Sequence, residues 1–549
     1  MKRLMNIAGI LVLSASLWGC DSQSAVDAQD TAQPSKLSMG KSDASLEATF
    51  VNFEFDGMVS VGSCYSPEKR VEEQLLYTIG QLNGDRGVGR IDTLEVTDLN
   101  TEVTESGCQI TYHARMLVAW ALEHSNKTDY ELILPRDVRH GAIASLFETH
   151  GVSCVKSGAQ ATSGSFWYYW RPERSNCNLD DALSIRIPVE VSPSPVHTTG
   201  KYPEYHKVWE DGALNVVTIF GKVNEGGDDS DTGVKGYKSY VKAVMSLTDD
   251  WDQKTEPETF PGEPGVDLPD VTIRGTLPDG RKIKVVALLV DDIKSASYGF
   301  YQRYENLTKD VDLLSYNGHS GLGSNIRVLA GKGEWTTGQY SMVFMNGCDT
   351  YAYVDSALAK AHADVNPDDP EGTLYLDILM NAMPSYFYTM ADSGMTLVKA
   401  LLDVENPKTY EQIFAGIDSH EMVIVSGEHD NVFVPGFGAV EVTPETLEAS
   451  WEGMEESAVV DQGDEMFFST PVLAPGKYQF VLSGTGDADL YIRVGEAPSQ
   501  ALYDCRPYAF GSDEICEVDL NVPTPVYVML HGWSGPADVT LEGTPVSND

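Results

Sequence analysis

Apolar and polar positions change rhythm three times along the chain. From about Leu46 to Val191, strand-like runs (ATFVNFEFDG, CQITYHARMLVAW, YELILP, SIRIPVEV) interleave with helix-like stretches (SPEKRVEEQLLYTIGQL, RHGAIASLFETHG), which predicts an α+β domain over 46–195. SPSPVHTTGKYPEY then reads as a linker. Over 205–440, short apolar runs (LNVVTIFG, KIKVVALLVDD, VDLLSYNG, YSMVFMNG, TLYLDILMN) alternate with helical ones such as KGYKSYVKAVMSL, YGFYQRYENLTKD and YAYVDSALAKAHA. A short, continuously apolar run between helices reads as a strand buried on both faces, so the region is predicted to be α/β with a doubly wound, mainly parallel sheet. Over 445–546 the pattern alternates strictly and is punctuated by glycine (KYQFVLSG, ADLYIRVG, VYVMLHG, ADVTLEG), which predicts a small antiparallel β-sandwich.

Two of the apolar runs end in a reactive side chain. VDLLSYNGHSG delivers His319 and YSMVFMNGCDTY delivers Cys348. Side chains at the carboxyl ends of parallel strands face a crevice outside the core, where ligands bind in such sheets. Imidazole beside thiol is a nucleophilic pair, because a neighbouring imidazole lowers the thiol pKa from about 8.5 and exposes the thiolate. The small residues Ser320, Gly321 and Gly347 suit backbone amides that approach a substrate carbonyl as an oxyanion hole, the Cys348 N–H being one donor.

Charge removes one class of partner. With 82 acidic and 38 basic residues among 549, and a net charge of -44, the chain repels phosphate backbones and is not expected to bind nucleic acid. The N-terminus, MKRLMNIAGILVLSASLWGC, pairs Lys2 and Arg3 with a short apolar stretch and ends in Leu17-Trp18-Gly19-Cys20. It resembles a bacterial lipoprotein signal peptide over 1–19. The resemblance implies cleavage before Cys20, acylation of that cysteine, and anchoring in a bacterial membrane on its periplasmic or outer face. Residues 20–45 are polar, small and aperiodic, as expected of a flexible tether. Eight cysteines are present, and setting Cys20 aside leaves an odd seven, with Cys348 expected as the unpaired thiol. Cys505 and Cys516 flank one short loop. Cys64, Cys108, Cys154 and Cys177 suffice for two bridges of open connectivity.

GTGDADLYIRVGEAPS, the loop between Cys505 and Cys516, and HGWSGPADVTL, with Asp487 and Asp489, resemble the bacterial pre-peptidase C-terminal domain, an accessory sandwich of secreted peptidases. Tyr316-Asn317-Gly318-His319 and Gly347-Cys348-Asp349, at successive strand ends about thirty positions apart, resemble clan CD cysteine peptidases of the caspase-hemoglobinase fold, gingipain-like branch. In that family glycine commonly follows the histidine directly and alanine commonly precedes the cysteine. Here Ser320 and Gly347 stand at those places. The resemblance implies a cysteine endopeptidase acting on protein or peptide substrates through a Cys348/His319 dyad, with no required cofactor. The alternative is an inactive surface lipoprotein that binds proteins or glycans on the same scaffold. Calcium enters as an optional cofactor, since the family includes calcium-stabilised members and ADVNPDDPEG and GGDDSDTG are acidic loops. His420, Glu421 and His429 lack the helical spacing of a zinc motif, and His531-Gly532-Trp533-Ser534-Gly535 is read as structural.

Overall fold

The computed structural model describes residues 43–435 except 196, and 451–546 except 452, 472, 496–497, 501–502, 508–509 and 521–523. The expected signal peptide, Cys20 and the expected tether up to residue 42 lie outside the described residues. The chain divides into two compact units, 1–435 and 436–549.

The first unit is organised by a nine-stranded mixed sheet. In chain order its strands are β1 (Asp43–Ser45), β2 (Ala213–Gly221), β3 (Lys254–Glu256), β4 (Asp270–Thr276), β5 (Lys282–Val290), β6 (Leu313–Asn317), β7 (Ser341–Asn346), β8 (Leu376–Asn381) and β9 (Val423–Ser426). They lie side by side in the order β1-β9-β8-β7-β6-β2-β5-β4-β3. The middle five, β8-β7-β6-β2-β5, are mutually parallel, and each strand outside them pairs antiparallel with its neighbours. Successive side chains point to opposite faces, and both faces are apolar. Val216, Leu313 and Met342 enter one core with α2 (Thr232–Leu247) and α6 (Met390–Leu402). Val217, Leu314 and Val343 enter the other with α3 (Tyr298–Leu307), α4 (Ser324–Lys332) and α5 (Ala357–Val365). Helices on both faces of a parallel centre match the doubly wound expectation, with antiparallel margins added.

The N-terminal region is a six-stranded, wholly antiparallel sheet built around Ala48–Val61 and Gly107–Ala121. Against it packs α1 (Pro67–Gly84), whose Val71, Leu75, Ile79 and Leu82 recur at helical spacing and are buried. Each such side chain contributes roughly 1.5–3 kcal/mol of burial. Gly80 lets Phe166–Tyr169 approach, since a Cβ there would sit 2.2 Å from the Trp167 carbonyl oxygen. Disulfides join Cys64 to Cys108 and Cys154 to Cys177.

Two expectations are corrected here. Residues 43–45 of the expected tether form β1, which pairs with Ile424, Val425 and Ser426 at the margin of the central sheet. The α+β region is also no separate body, because its buried residues, from Phe50 to Val191, form one cluster with Tyr304, Leu329, Tyr351 and Met422 of the central region.

Among the described residues of the second unit, five antiparallel strands form one hydrogen-bonded sheet. Its two long strands, Gly476–Val494 and Val526–Pro545, pair throughout, with register shifts at Thr485–Ala488. Such bulges bend a strand. Phe480, Leu482, Val539 and Leu541 from one side of the shift share a core with Leu490, Ile492, Val528 and Leu530 from the other. The expected sandwich is therefore a single sheet folded on itself, closed by the Cys505–Cys516 disulfide.

Candidate functional site

The site lies where β6 and β7 end. Their parallel register pairs Asn317 with Asn346, so His319 and Cys348 each stand two residues beyond the same rung of adjacent strands. Between them the turns touch. A Cβ on Gly347 would lie 2.7 Å from the Gly318 carbonyl oxygen and 3.3 Å from the Ser320 nitrogen, so alanine cannot enter without parting the two turns. The Gly347 N–H donates to the Met345 carbonyl at 3.1 Å, so it closes its own turn.

His319 is half-buried and held from three sides. Its carbonyl accepts from the Tyr316 hydroxyl at 2.7 Å and from Asn325 Nδ2 at 2.9 Å. Its ring stands edge-on to Phe387 at 4.9 Å. Its Nε2 lies 3.0 Å from the carbonyl oxygen of Val223, two residues past the end of β2. A carbonyl can only accept, so Nε2 carries the proton and Nδ1 is where a neutral imidazole takes one up. Ser320 is buried, and Gly321 and Gly323 adopt φ of 59° and 91°, which carries the chain directly from β6 into α4.

Cys348 is 2% exposed, with Sγ 3.5 Å from the Ser385 carbonyl oxygen. It is disulfide-bonded, and no described cysteine is a free thiol. This corrects the expected unpaired thiol.

Below the site runs a polar ladder that the sequence reading missed. Asn346 Nδ2 donates to Asn317 Oδ1 at 3.0 Å, and Asn381 Nδ2 lies within reach of Asn346 Oδ1 at 3.3 Å and Glu421 Oε2 at 2.9 Å. Ser385 Oγ also donates to Asn346 Oδ1, at 2.7 Å. Burial pushes the Glu421 carboxyl up to about 7, against the pull of hydrogen bonds from Thr389 and Asn381. A signal existed: LLSYN, SMVFMN and LDILMN all end in asparagine.

Asp349, next to the cysteine, is fully buried in the left-handed region with φ 52°. Its carboxylate accepts from Tyr168 Oη at 2.6 Å and from Asn83 Nδ2, both N-terminal residues. Burial pushes its pKa up to about 6, and these donors, with Arg171 and Lys156, pull the other way. The acidic loops are occupied in shaping the backbone. Asp231 accepts from Val223, Asn224, Gly233 and Val234 N–H groups, and Asp369 from those of Gly372 and Thr373. Among the described residues no three His, Cys, Asp or Glu side chains are grouped to hold a metal ion.

In the second unit, Asp489 pairs with Arg506 at 2.7 Å, and Asp487 accepts from the Gly511 N–H and the Ser534 hydroxyl. His531 lies in a strand opposite Asp489, as its structural reading requires.

Comparison with known proteins bears on this unit. A model of the bacterial pre-peptidase C-terminal domain matches residues 464–532, and the second unit carries such a domain. The chain is 48% identical over 61 residues to a neutral protease of Vibrio proteolyticus, covering 11% of this chain and 10% of that one. It is 42% identical over 81 residues to a zinc metalloprotease of Helicobacter pylori, covering 15% and 32%. An alkaline serine exoprotease A of Vibrio alginolyticus is 39% identical over 59 residues, covering 11% of each chain. The chain thus spans between about a tenth and a third of the length of these curated relatives. They name different catalytic types, so the shared segment identifies no catalytic family.

Proposed function

We propose that this chain is an exported bacterial peptidase whose catalytic centre is the Cys348/His319 pair of a caspase-like sheet. The observation that carries the reading is the β6–β7 register, which sets both side chains at the same level of adjacent parallel strands, with Gly347 seated on Gly318 between them. The domain shared with bacterial proteases supports a peptidase, while metallo- and serine-type relatives leave the chemistry to the chain's own residues.

The reaction needs the thiol form of Cys348, so opening its disulfide precedes catalysis. His319 then accepts the thiol proton, and sulfur attacks the peptide carbonyl carbon, whose oxygen takes the negative charge beside backbone amides of the Ser320–Gly321 turn and of Cys348. Collapse breaks the C–N bond as His319 returns the proton to the leaving amine. Water, deprotonated by the same imidazole, then cleaves the thioester to a carboxylic acid and restores the thiol. The test is a positional-scanning peptide library on the full chain, with and without reductant and calcium. Turnover should require reductant and disappear in Cys348→Ala and in His319→Ala, because members of one catalytic unit fail together. Activity surviving either substitution removes the dyad.

A second reading has its own observation. Cys348 is almost wholly buried and disulfide-bonded, as suits a non-catalytic scaffold that binds proteins or glycans. Hydrolysis of no library member under reducing conditions would select it.

A further inference from the structure

The segment that follows Cys348 is held by the N-terminal region at two points. At the first, Asn83 in the last turn of α1 and Tyr168 both donate to the Asp349 carboxylate. Arg171 donates to Asn83 Oδ1 at 3.2 Å, which turns the amide nitrogen toward Asp349. At the second, two residues on, the Tyr351 hydroxyl donates to Asp43 Oδ2 at 2.6 Å. Asp43 is in turn paired with Arg90 at 3.1 Å, and that guanidinium stands over the Tyr351 ring at 5.4 Å. Asp43, Tyr168, Tyr351 and Asp349 are all buried, so these bonds lie in a low-dielectric interior where charge-assisted contacts are strong and directional. Both anchors fix the chain immediately after the sulfur, where Asp349 sits in the left-handed region, which is uncommon for residues other than glycine.

We infer that the N-terminal region is neither a removable prodomain nor a separate binding module but the positioning half of the site, with Asp349 and Tyr351 as positioning residues that set the Cys348 turn against His319. The inference rests on the dyad reading and goes beyond it in giving residues 43–194 a role. A prodomain should occlude the site and leave when cut. This region instead supplies β1 to the central sheet and shares its core, so its loss dismantles the turn.

Two experiments on the full-length, reduced protein test this. In the first, a specific protease site is inserted between the exposed residues Thr199 and Gly200 and cleaved. The two pieces should stay associated through gel filtration, with Cys348 alkylation and peptide turnover unchanged. Departure of the N-terminal piece with turnover equal or faster overturns the inference. In the second, Tyr168→Phe and Tyr351→Phe each delete one hydroxyl and keep the ring. Each should lower kcat about tenfold with KM within about twofold, since small misplacements cost rate more than binding. Each should also shift the pH midpoint of iodoacetamide alkylation of Cys348 upward. A merely structural tyrosine would lower Tm and leave that midpoint in place, so folded variants with the wild-type kcat and alkylation profile also overturn the inference. Absence of turnover in the reduced wild type counts against the dyad reading alone, because the alkylation midpoint reports the position of the turn without any peptide.

Discussion

Replacing Arg90 with methionine should destabilise the first unit by about 3–5 kcal/mol, the cost of stranding one member of a buried ion pair. The side chain is 3% exposed and its partner Asp43 wholly buried. Arg90 reaches Asp43 at 3.1 Å, Asp92 at 2.8 Å and Ser426 Oγ at 3.3 Å, so it ties β1 to β9 and to the N-terminal sheet. Methionine keeps much of the volume and leaves Asp43 with the Tyr351 hydroxyl but without the guanidinium countercharge. With an unfolding entropy of ~2.1 cal/mol/K per residue over roughly 400 residues, a loss of about 4 kcal/mol lowers Tm by about 5 °C. The assay is differential scanning calorimetry at pH 7.5 on the full chain, following the transition of the first unit. Adding Asp43→Asn removes the stranded charge, so the double variant should recover more than half of the loss, a coupling that only direct partners display. A Tm change under about 1 °C in Arg90→Met, or strict additivity in the double variant, would refute the claim that this pair carries the seam.

On the dyad reading, Gly347→Ala should lower turnover of the reduced protein at least tenfold, because its Cβ would meet the Gly318 carbonyl at 2.7 Å and part the turns that carry His319 and Cys348; steady-state kinetics reads this, and an unimpaired rate would mean that the turns yield freely. Between about pH 5 and 8 stability should fall as pH rises. Burial pushes Asp377 and Glu421 up to about 7 and Asp312 up to about 8, so the folded chain holds protons that the unfolded chain, with carboxyls near 4, has released. That contribution is complete below about pH 4 and is lost as pH rises through 7–8, so Tm should be higher at pH 6 than at pH 8.5, and the reverse order in a thermal melt would contradict it. Replacing both Cys505 and Cys516 with serine should cost the second unit about 3 kcal/mol, the loop-entropy value for a sequence separation of 11, measured by urea denaturation of residues 436–549.

The elements of the central sheet could be read from the chain because burial on both faces leaves a mark that needs no partner: five apolar runs, each too short for a helix, became β2, β5, β6, β7 and β8. Glycine and reactive side chains at the ends of two runs marked His319 and Cys348 by the same local logic, since a strand end in a parallel sheet opens on a crevice wherever its neighbours lie. Strand order was not local. That β6 and β7 are adjacent and in register, which brings the two motifs to the same level of the sheet, is decided only in the folded chain. Asp43–Ser45 has the composition of a tether and becomes a strand because the margin of β9 offers it hydrogen bonds and Arg90 offers its carboxylate a countercharge. Asn83 and Tyr168, 266 and 181 residues before Asp349, carry no local sign of their task. Periodicity records how each segment divides between core and solvent, whereas a buried hydrogen bond between distant segments depends on geometry that exists only after the cores have formed.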